Sequence, residues 1–384
     1  MEIAMQISDI NCFPCWGGHR NYMFVVIDTD AGIEGIGEAG LTGMELAVQG
    51  AIAHWRELLI GQDPMRTEHI WQTLSRGAFF PHGRVLGSAL AAIDMALWDI
   101  KAKALGVPLY QLFGGRSRDA VACYCHLAAG HEPGTERLLR SAEEHIDAGW
   151  RYLRWGLPSE GALLEPTRAV QQAVEQFAAL RRNFGDEIEL CFDVHTRLSP
   201  TDAATLCNAV EAYRPYFIED PLRSESPQAY HALRQRTRVP LAAGEQFASK
   251  WEFRELIDHD LIDYARIDLC IAGGFTEGLK IAGWAEAHYI DVVVHNPLGP
   301  VAATACLHFN MAIPNFGVQE QPQPTATMLT DVVQNQPVWV DGAMVPNDLP
   351  GLGLVFDREA ALQHPFSMTA LPRLHRADGT FTNW

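Results

Sequence analysis

The sequence predicts an α/β protein, a modified (β/α)8 barrel of the TIM type with an N-terminal α+β capping domain. From residue 120 onward, short β-rich runs alternate with amphipathic helical runs, the pattern of a parallel sheet. Polar residues close successive β-rich runs at nearly constant intervals, as they do at the active end of a barrel. The first 115 residues have a different grammar, an antiparallel meander followed by helices.

Residues 1–43 read as that meander. MFVVIDTDAGIEGIGEA (23–39) is two apolar runs around Thr29-Asp30-Ala31-Gly32, a hairpin signal. Helical segments follow at 43–60, 66–77 and 85–105, the last stopped by Gly106 and Pro108. These make a capping domain over 1–115. Candidate barrel strands are 121–127, 152–157, 188–195, 216–221, 241–247, 264–270, 291–296 and 316–321. Helical runs such as 160–183, 201–213, 249–258 and 274–288 lie between them, and the unit at 297–312 is short. The barrel is thus expected over 116–330. The Pro/Gly-rich segment 331–384 has no barrel pattern and is expected to return to the capping domain.

Two literal motifs are set aside on context. Gly35-Ile-Gly37-Glu-Ala-Gly40 spells G-x-G-x-x-G, but a hairpin precedes it and the helix after it leads to another helix, not to a second parallel strand. Glycines of a hairpin and its exit loop are expected instead. Cys12 and Cys15 form C-x-x-C without a second ligand pair or a thioredoxin-like βαβ setting, so two ordinary thiols are expected.

The 384 residues are 48% hydrophobic and 20% charged, an ordinary globular composition. A net charge of −18 disfavours nucleic acid and anionic membranes as partners. No apolar run approaches the ~18 residues of a membrane helix. The N-terminal stretch 1–13 has no basic region followed by an apolar one, so a cytoplasmic setting is expected.

The chemistry is concentrated at strand ends. Asp193, Glu219 and Glu245 close three consecutive strands at intervals of 26 residues; Asp268, His295 and Glu320 follow at 23, 27 and 25. One βα unit separates each pair, so all six should stand at one barrel mouth. Three carboxylates there repel unless a cation neutralises them, and oxygen ligands with room for water suit Mg²⁺. Asp193, Glu219 and Glu245 are the expected ligands. His195 lies two residues beyond Asp193, so strand alternation puts both on one face. His295 and Asp268 end neighbouring strands and read as a base and the carboxylate that orients it.

FDVHTRLSP (192–200), FIEDP (217–221), LAAGEQF (241–247), IDLCIAGG (267–274) and VVHNPLGPVA (293–302) together resemble the mandelate-racemase-like group of the enolase superfamily. SALAAIDMALWDIKAKALGVPLYQLFGG (88–115) resembles that group's domain junction, and PGLGLVFDREA (350–360) its C-terminal return. The likeness is nearest to the acid-sugar dehydratases of galactonate type. It implies three acidic Mg²⁺ ligands, a His–Asp dyad and a capping domain whose loops close over the substrate. One departure matters. Many relatives carry Lys-x-Lys at the end of strand two; here the stretch is Arg154-Trp155-Gly156, which keeps one cation and has no second lysine.

The resulting expectation is a Mg²⁺-dependent hydro-lyase acting on a galactonate- or gluconate-like sugar acid. His295 takes the C2 proton, His195 protonates the departing C3 hydroxyl, Asp268 orients His295, and Arg154 and Glu320 touch the substrate. His19, Arg20, His82 and Arg84, on cap loops 14–21 and 78–84, are candidate hydroxyl contacts. A C2 epimerase and a catalytically silent sugar-acid-binding protein are the alternatives. The expected partners are the small-molecule substrate and further copies of the chain, a homo-oligomer.

Overall fold

In the N-terminal part, β1 (Ile7–Trp16), β2 (Asn21–Thr29) and β3 (Glu34–Ala39) form an antiparallel sheet in the order β1-β2-β3. The β2–β3 turn falls where the sequence placed it, with Gly32 at φ 74°. Helices α1 (Glu45–Leu59), α2 (Thr67–Arg76) and α3 (Arg84–Leu105) follow, and α3 ends on Gly106 in the left-handed region. The computed structural model describes residues 5–128 and 131–383. Residues 1–4, the start of the stretch read for a signal, lie outside the described residues.

The G-x-G-x-x-G run is explained by packing. Gly35 and Gly37 lie within β3 rather than in the turn, and α3 lies directly against them. A Cβ on Gly35 would sit 2.0 Å from the Ala96 carbonyl oxygen, and one on Gly37 2.0 Å from that of Ala92. Only glycine permits this approach of helix to strand. Cys12 and Cys15 are free, and burial pushes both thiols up to about 12.

Eight parallel strands then alternate with seven helices: β4 (Val121–His126), α4 (Glu136–Asp147), β5 (Tyr152–Gly156), α5 (Pro166–Phe184), β6 (Glu189–Asp193), α6 (Pro200–Val210), β7 (Phe217–Glu219) and α7 (Ala229–Arg234). β8 (Leu241–Ala243), α8 (Lys250–Asp258), β9 (Tyr264–Ala265), α9 (Gly274–Ala287), β10 (Asp291–Val292), α10 (Pro300–Ala312) and β11 (Gln319–Glu320) complete the ring. Strands pair in sequence from β4 to β10, and β11 pairs β4. Closure comes from Val292, whose N–H donates to the Asn315 carbonyl and whose own carbonyl accepts from Gly317. Tyr124, Cys191, Phe217, Ala242, Val293 and Val318 fill the interior as a packed plug. No helix among the described residues is long and apolar enough to cross a membrane.

The C-terminal segment is more ordered than its composition suggests. β12 (Val333–Gln334) pairs with β15 (Val355–Phe356), while the hairpin of β13 (Val338–Val340) and β14 (Ala343–Val345) extends the sheet at the start of β4. The chain then reaches the N-terminal sheet. Helix α11 (Arg358–Ala361) presents Arg358 to Asp28 and Glu34, and the Asn21 side chain pairs with the Ser367 backbone.

Buried carboxylates join the N-terminal layer to the barrel at helix N-termini, where unpaired N–H groups and the helix dipole favour them. Glu38 on β3 accepts from the N–H groups of Gly299 (2.6 Å) and Ala302 (2.9 Å) at the start of α10. Asp94 on α3 accepts from the Thr276 N–H (3.0 Å) and hydroxyl at the start of α9. Burial outweighs these hydrogen bonds and holds both groups up at about 7. The native state therefore keeps protons that the unfolded chain releases near pH 4, so this contribution is full in acid and declines as pH rises to about 7. We expect Glu38→Gln or Asp94→Asn to flatten the fall in unfolding free energy between pH 4.5 and 7 by roughly 3 kcal/mol each. Denaturant melts across that range check it; an unchanged pH slope in both variants contradicts the assignment.

Candidate active site

The C-terminal ends of the barrel strands open into a cavity of about 1480 Å³. Arg154, His195, Glu245, Asp268, His295 and Glu320 line it from the barrel. Arg20, Leu41 and Arg84 line it from the cap. Six short strand ends thus bring together residues 154 to 320, as the regular spacing of polar residues anticipated.

Beneath the cavity a buried guanidinium organises the carboxylates. Arg266, fully buried just beyond β9, contacts Glu219 at 2.8 Å, Asp220 at 2.8 Å, Glu245 at 2.9 Å and Glu320 at 3.2 Å. The Tyr124 hydroxyl, from β4, donates to Glu219 and accepts from Arg266. Arg154 is the second clamp, reaching Glu219 at 3.0 Å and also pairing with Asp193. Arg154, the expected substrate contact, also has partners within the protein. Its guanidinium lines the cavity but is already engaged by two buried carboxylates, because a cation between them offsets their repulsion. Glu320 is similarly occupied, by Arg266, by His126 Nε2 at 2.6 Å and by the Asn296 N–H at 2.9 Å. His126 is held neutral, down at about 4, by burial and then by Arg154.

The donor set fits a hard divalent cation. Asp193, Glu219 and Glu245 offer only oxygen, and six carboxylates (193, 219, 220, 245, 268 and 320) face two guanidinium groups and one imidazolium. Burial, together with the charge of Asp193, raises Glu219 to about 7 despite both arginines, the signature of an excess of negative charge. Asp193 and Glu219 are fully buried and do not line the cavity; Arg154 lies on them. Among the described residues, these three carboxylates do not gather their oxygens within 4.8 Å of one another.

His295 Nδ1 lies 2.7 Å from Asp268 Oδ2, which leaves Nε2 toward the cavity, 3.6 Å from Glu245. Burial opposes the imidazolium, but Glu245, Glu320 and Asp268 outweigh it and raise His295 to about 9. His195 also lines the cavity, by a route different from the expected strand alternation. Strand β6 ends at Asp193, and His195 and Thr196 adopt left-handed φ values of 53° and 58°. The His195 N–H donates back to Asp193 Oδ1 at 2.5 Å, an Asx-type turn that stabilises an otherwise uncommon backbone. Burial holds His195 below the ordinary histidine range, although Asp193 and Glu245 pull the other way.

The cap residues divide. Arg20 lines the cavity while donating to the Pro297 carbonyl, and Arg84 lines it while paired with Glu252. His82 and His19 are corrected: neither lines the main cavity. The ring of His82 bridges Ser75 Oγ and the Ala248 carbonyl, tying α2 to the loop after β8. His19 faces the Tyr22 hydroxyl and a smaller neighbouring cavity of about 270 Å³.

Sequence reading did not single out Tyr124, His126 or Asp220, nor Arg266, Arg197 and His131. Arg266 had a signal, its position two before Asp268 near the same strand end. Arg197, two residues after His195, lines the cavity and lies 3.1 Å from His131 Nδ1. His131 carried no local signal. It fills the space over Gly156, where a Cβ would come within 1.9 Å of His131 Cε1. Its ring lies 6.1 Å from that of His195, and burial, then Arg197, lower it to about 3, so it is neutral. The volume a strand-two lysine would use is therefore occupied by an imidazole.

That contact is testable. Gly156→Ala should lose about 1–3 kcal/mol of stability by overpacking, and adding His131→Ala should recover most of the loss. A double-mutant cycle of unfolding free energies measures the coupling. Strict additivity would show that His131 does not occupy that space.

The model of the mandelate racemase/muconate lactonizing enzyme N-terminal domain matches residues 17–114, and that of the enolase C-terminal domain-like family matches 137–360. A D-mannonate dehydratase of Rhizorhabdus wittichii is 38% identical, with 95% of this chain and 96% of that protein covered. A D-galactonate dehydratase family member of Marinomonas sp. is also 38% identical, with 95% and 96% covered. Among solved structures, an enolase from Pantoea ananatis with bound D-gluconate and Mg superposes with a TM-score of 0.93 at 30% identity, covering 99% of this chain and 100% of that one. An enolase from Agrobacterium radiobacter with bound Na and L-malate gives 0.92 at 29% identity, with 99% and 100% covered. With both domain models matched and the carboxylate mouth in place, the chain belongs to the mandelate racemase/muconate lactonizing enzyme group of the enolase superfamily.

Proposed function

We propose that this protein is an acid-sugar dehydratase, a hydro-lyase that removes the C2 proton and the C3 hydroxyl of a galactonate- or gluconate-like acid. The carrying observation is the pair of imidazoles: His195 follows the third barrel strand and His295 the seventh, on opposite sides of one cavity, and His295 is backed by Asp268. The names of the curated relatives, D-mannonate and D-galactonate dehydratases, support the same reaction class. So does the D-gluconate bound in the Pantoea ananatis structure.

Asp193, Glu219 and Glu245 would hold the Mg²⁺. When bound, the cation would stabilise negative charge gathering on the substrate carboxylate and offset the carboxylates that keep His295 protonated. The chain's own groups do the rest. Asp268 fixes the His295 tautomer with Nε2 toward the substrate, and neutral His295 takes the C2 proton. His195 delivers a proton to the C3 oxygen, the C3–O bond breaks, and water leaves. The enol then becomes a 2-keto-3-deoxy acid. Arg20, Arg84 and Arg197 line the cavity as donors for the substrate's oxygens. Gly156 offers no proton-transfer group, so C2 epimerisation is not supported from that side.

A second reading exchanges the histidines. It is favoured by burial, which lowers His195, and by Glu245, Glu320 and Asp268, which raise His295.

A Mg²⁺ assay against a panel of acid sugars should yield 2-keto acid without accumulation of the C2 epimer. Saturable binding without turnover on any of them would instead indicate a sugar-acid-binding protein. EDTA or Glu219→Gln should abolish turnover; full activity in either removes the cation from the mechanism. His195→Asn and His295→Asn should each lower dehydration by about 10²–10⁴-fold. In D₂O, His295→Asn should also lose C2 deuterium exchange, which His195→Asn retains. Exchange that survives in His295→Asn but vanishes in His195→Asn assigns the roles the other way.

A further inference from the structure

Away from the carboxylate mouth, two histidines and a glutamate meet on the outer rim of the barrel. His231 is on α7, Glu255 is on α8, and His259 follows the last residue of α8. Glu255 and His259 are four residues apart, so the helix puts them on one face, and that face meets His231. One potential ligand atom from each lies within 4.8 Å of the other two. Among the described residues this is the only such group of histidine, cysteine or acidic side chains.

The internal distances suit an ion. His231 Nε2 is 2.8 Å and His259 Nε2 is 3.9 Å from the same oxygen, Glu255 Oε1, and the two rings are 5.0 Å apart between centroids. Tetrahedral coordination at ~2.0–2.1 Å per bond puts ligand atoms roughly 3.3 Å apart, between those two values. Small side-chain rotations close the set without moving a helix. The donors are two imidazole nitrogens and one carboxylate oxygen, a borderline-soft set that suits Zn²⁺ and its neighbours and not Mg²⁺, which takes oxygen. The histidines are 40% and 54% exposed and the glutamate 28%, so an ion can enter from solvent. Glu255 and His259 also line the outer part of the main cavity, where the remaining coordination positions would face.

We propose that His231, Glu255 and His259 form a second metal site, for a Zn²⁺-class transition-metal ion, distinct from the carboxylate centre. The ion ties α7 to α8, the helices that follow the strands leading to Glu219 and Glu245. It replaces the single His231–Glu255 contact by three bonds to one centre and braces two adjacent βα units.

The test is titration of the intact protein with Zn²⁺ in a large excess of Mg²⁺, which keeps the all-oxygen site occupied. Calorimetry should show one equivalent of Zn²⁺ bound, and Co²⁺ in its place should give the visible absorption of a site with nitrogen ligands. His231→Ala and His259→Ala should each weaken Zn²⁺ binding by at least ~10-fold, the scale on which loss of even an outer-shell partner is felt. Glu255→Gln, close in shape, should weaken it too. Circular dichroism confirms that each variant is folded, and exposed His259 is the substitution least able to disturb folding. No bound equivalent in the wild type, or one whose affinity is the same in the wild type and in folded His259→Ala and Glu255→Gln, overturns the proposal.

Discussion

Everything at the mouth of this barrel depends on the Arg266 guanidinium. Four carboxylates from three strand ends meet it: Glu219, Asp220, Glu245 and Glu320. Burying that many acids without a counter-ion would cost far more than a fold of marginal stability can absorb. With Arg266 below and Arg154 beside them, the cost of burial is partly offset, though burial still raises Glu219 and Asp220. Glu245 and Glu320 are held below the ordinary carboxylate range, against burial, with His295 and Arg266 the leading causes. Such a network contributes little net stability, since desolvation offsets most of the attraction, but loss of one partner strands the others. Its value is positional: it holds oxygen donors and a poised imidazole at the cavity.

The same logic operates at the joint between cap and barrel, with helix N-termini in place of arginines. Glu38 and Asp94 occupy the starts of α10 and α9, and Asp99 accepts from the N–H groups of Ile36 and Leu352. Each acid comes from the N-terminal part of the chain, and Asp99 also ties the C-terminal return to it. The strand end carrying His295 runs into α10, so the cap fixes the helix that follows His295. Arg20 and Arg84 reach the same cavity from the cap side.

A large part of this was legible because barrel chemistry is periodic. One βα unit recurs about every 26 residues, and only the last positions of each strand reach the mouth, so polar residues at that interval disclose the site. Asp193, Glu219, Glu245, Asp268, His295 and Glu320 were all found in this way. Contacts between residues far apart in the chain carry no period. Nothing near His131 announces that it will cover Gly156, and nothing near His82 announces that its ring will bridge Ser75 and Ala248. The cap histidines were misjudged for that reason: a polar loop residue can face substrate or satisfy its neighbours, and local sequence is the same in both cases.

By itself the sequence determined the order of elements, the hairpin and helix stops, and the residues that end the strands, because turn chemistry and side-chain periodicity are local. Tertiary structure alone decided how those residues are used. It gave Arg154, the expected substrate contact, a clamp on Asp193 and Glu219, since a buried carboxylate takes the nearest cation. It brought His195 to the cavity through a left-handed turn where strand alternation was expected. It also made the charge of His295 a property of Glu245, Glu320 and Asp268, which lie 50, 25 and 27 residues away and meet it only when the barrel closes.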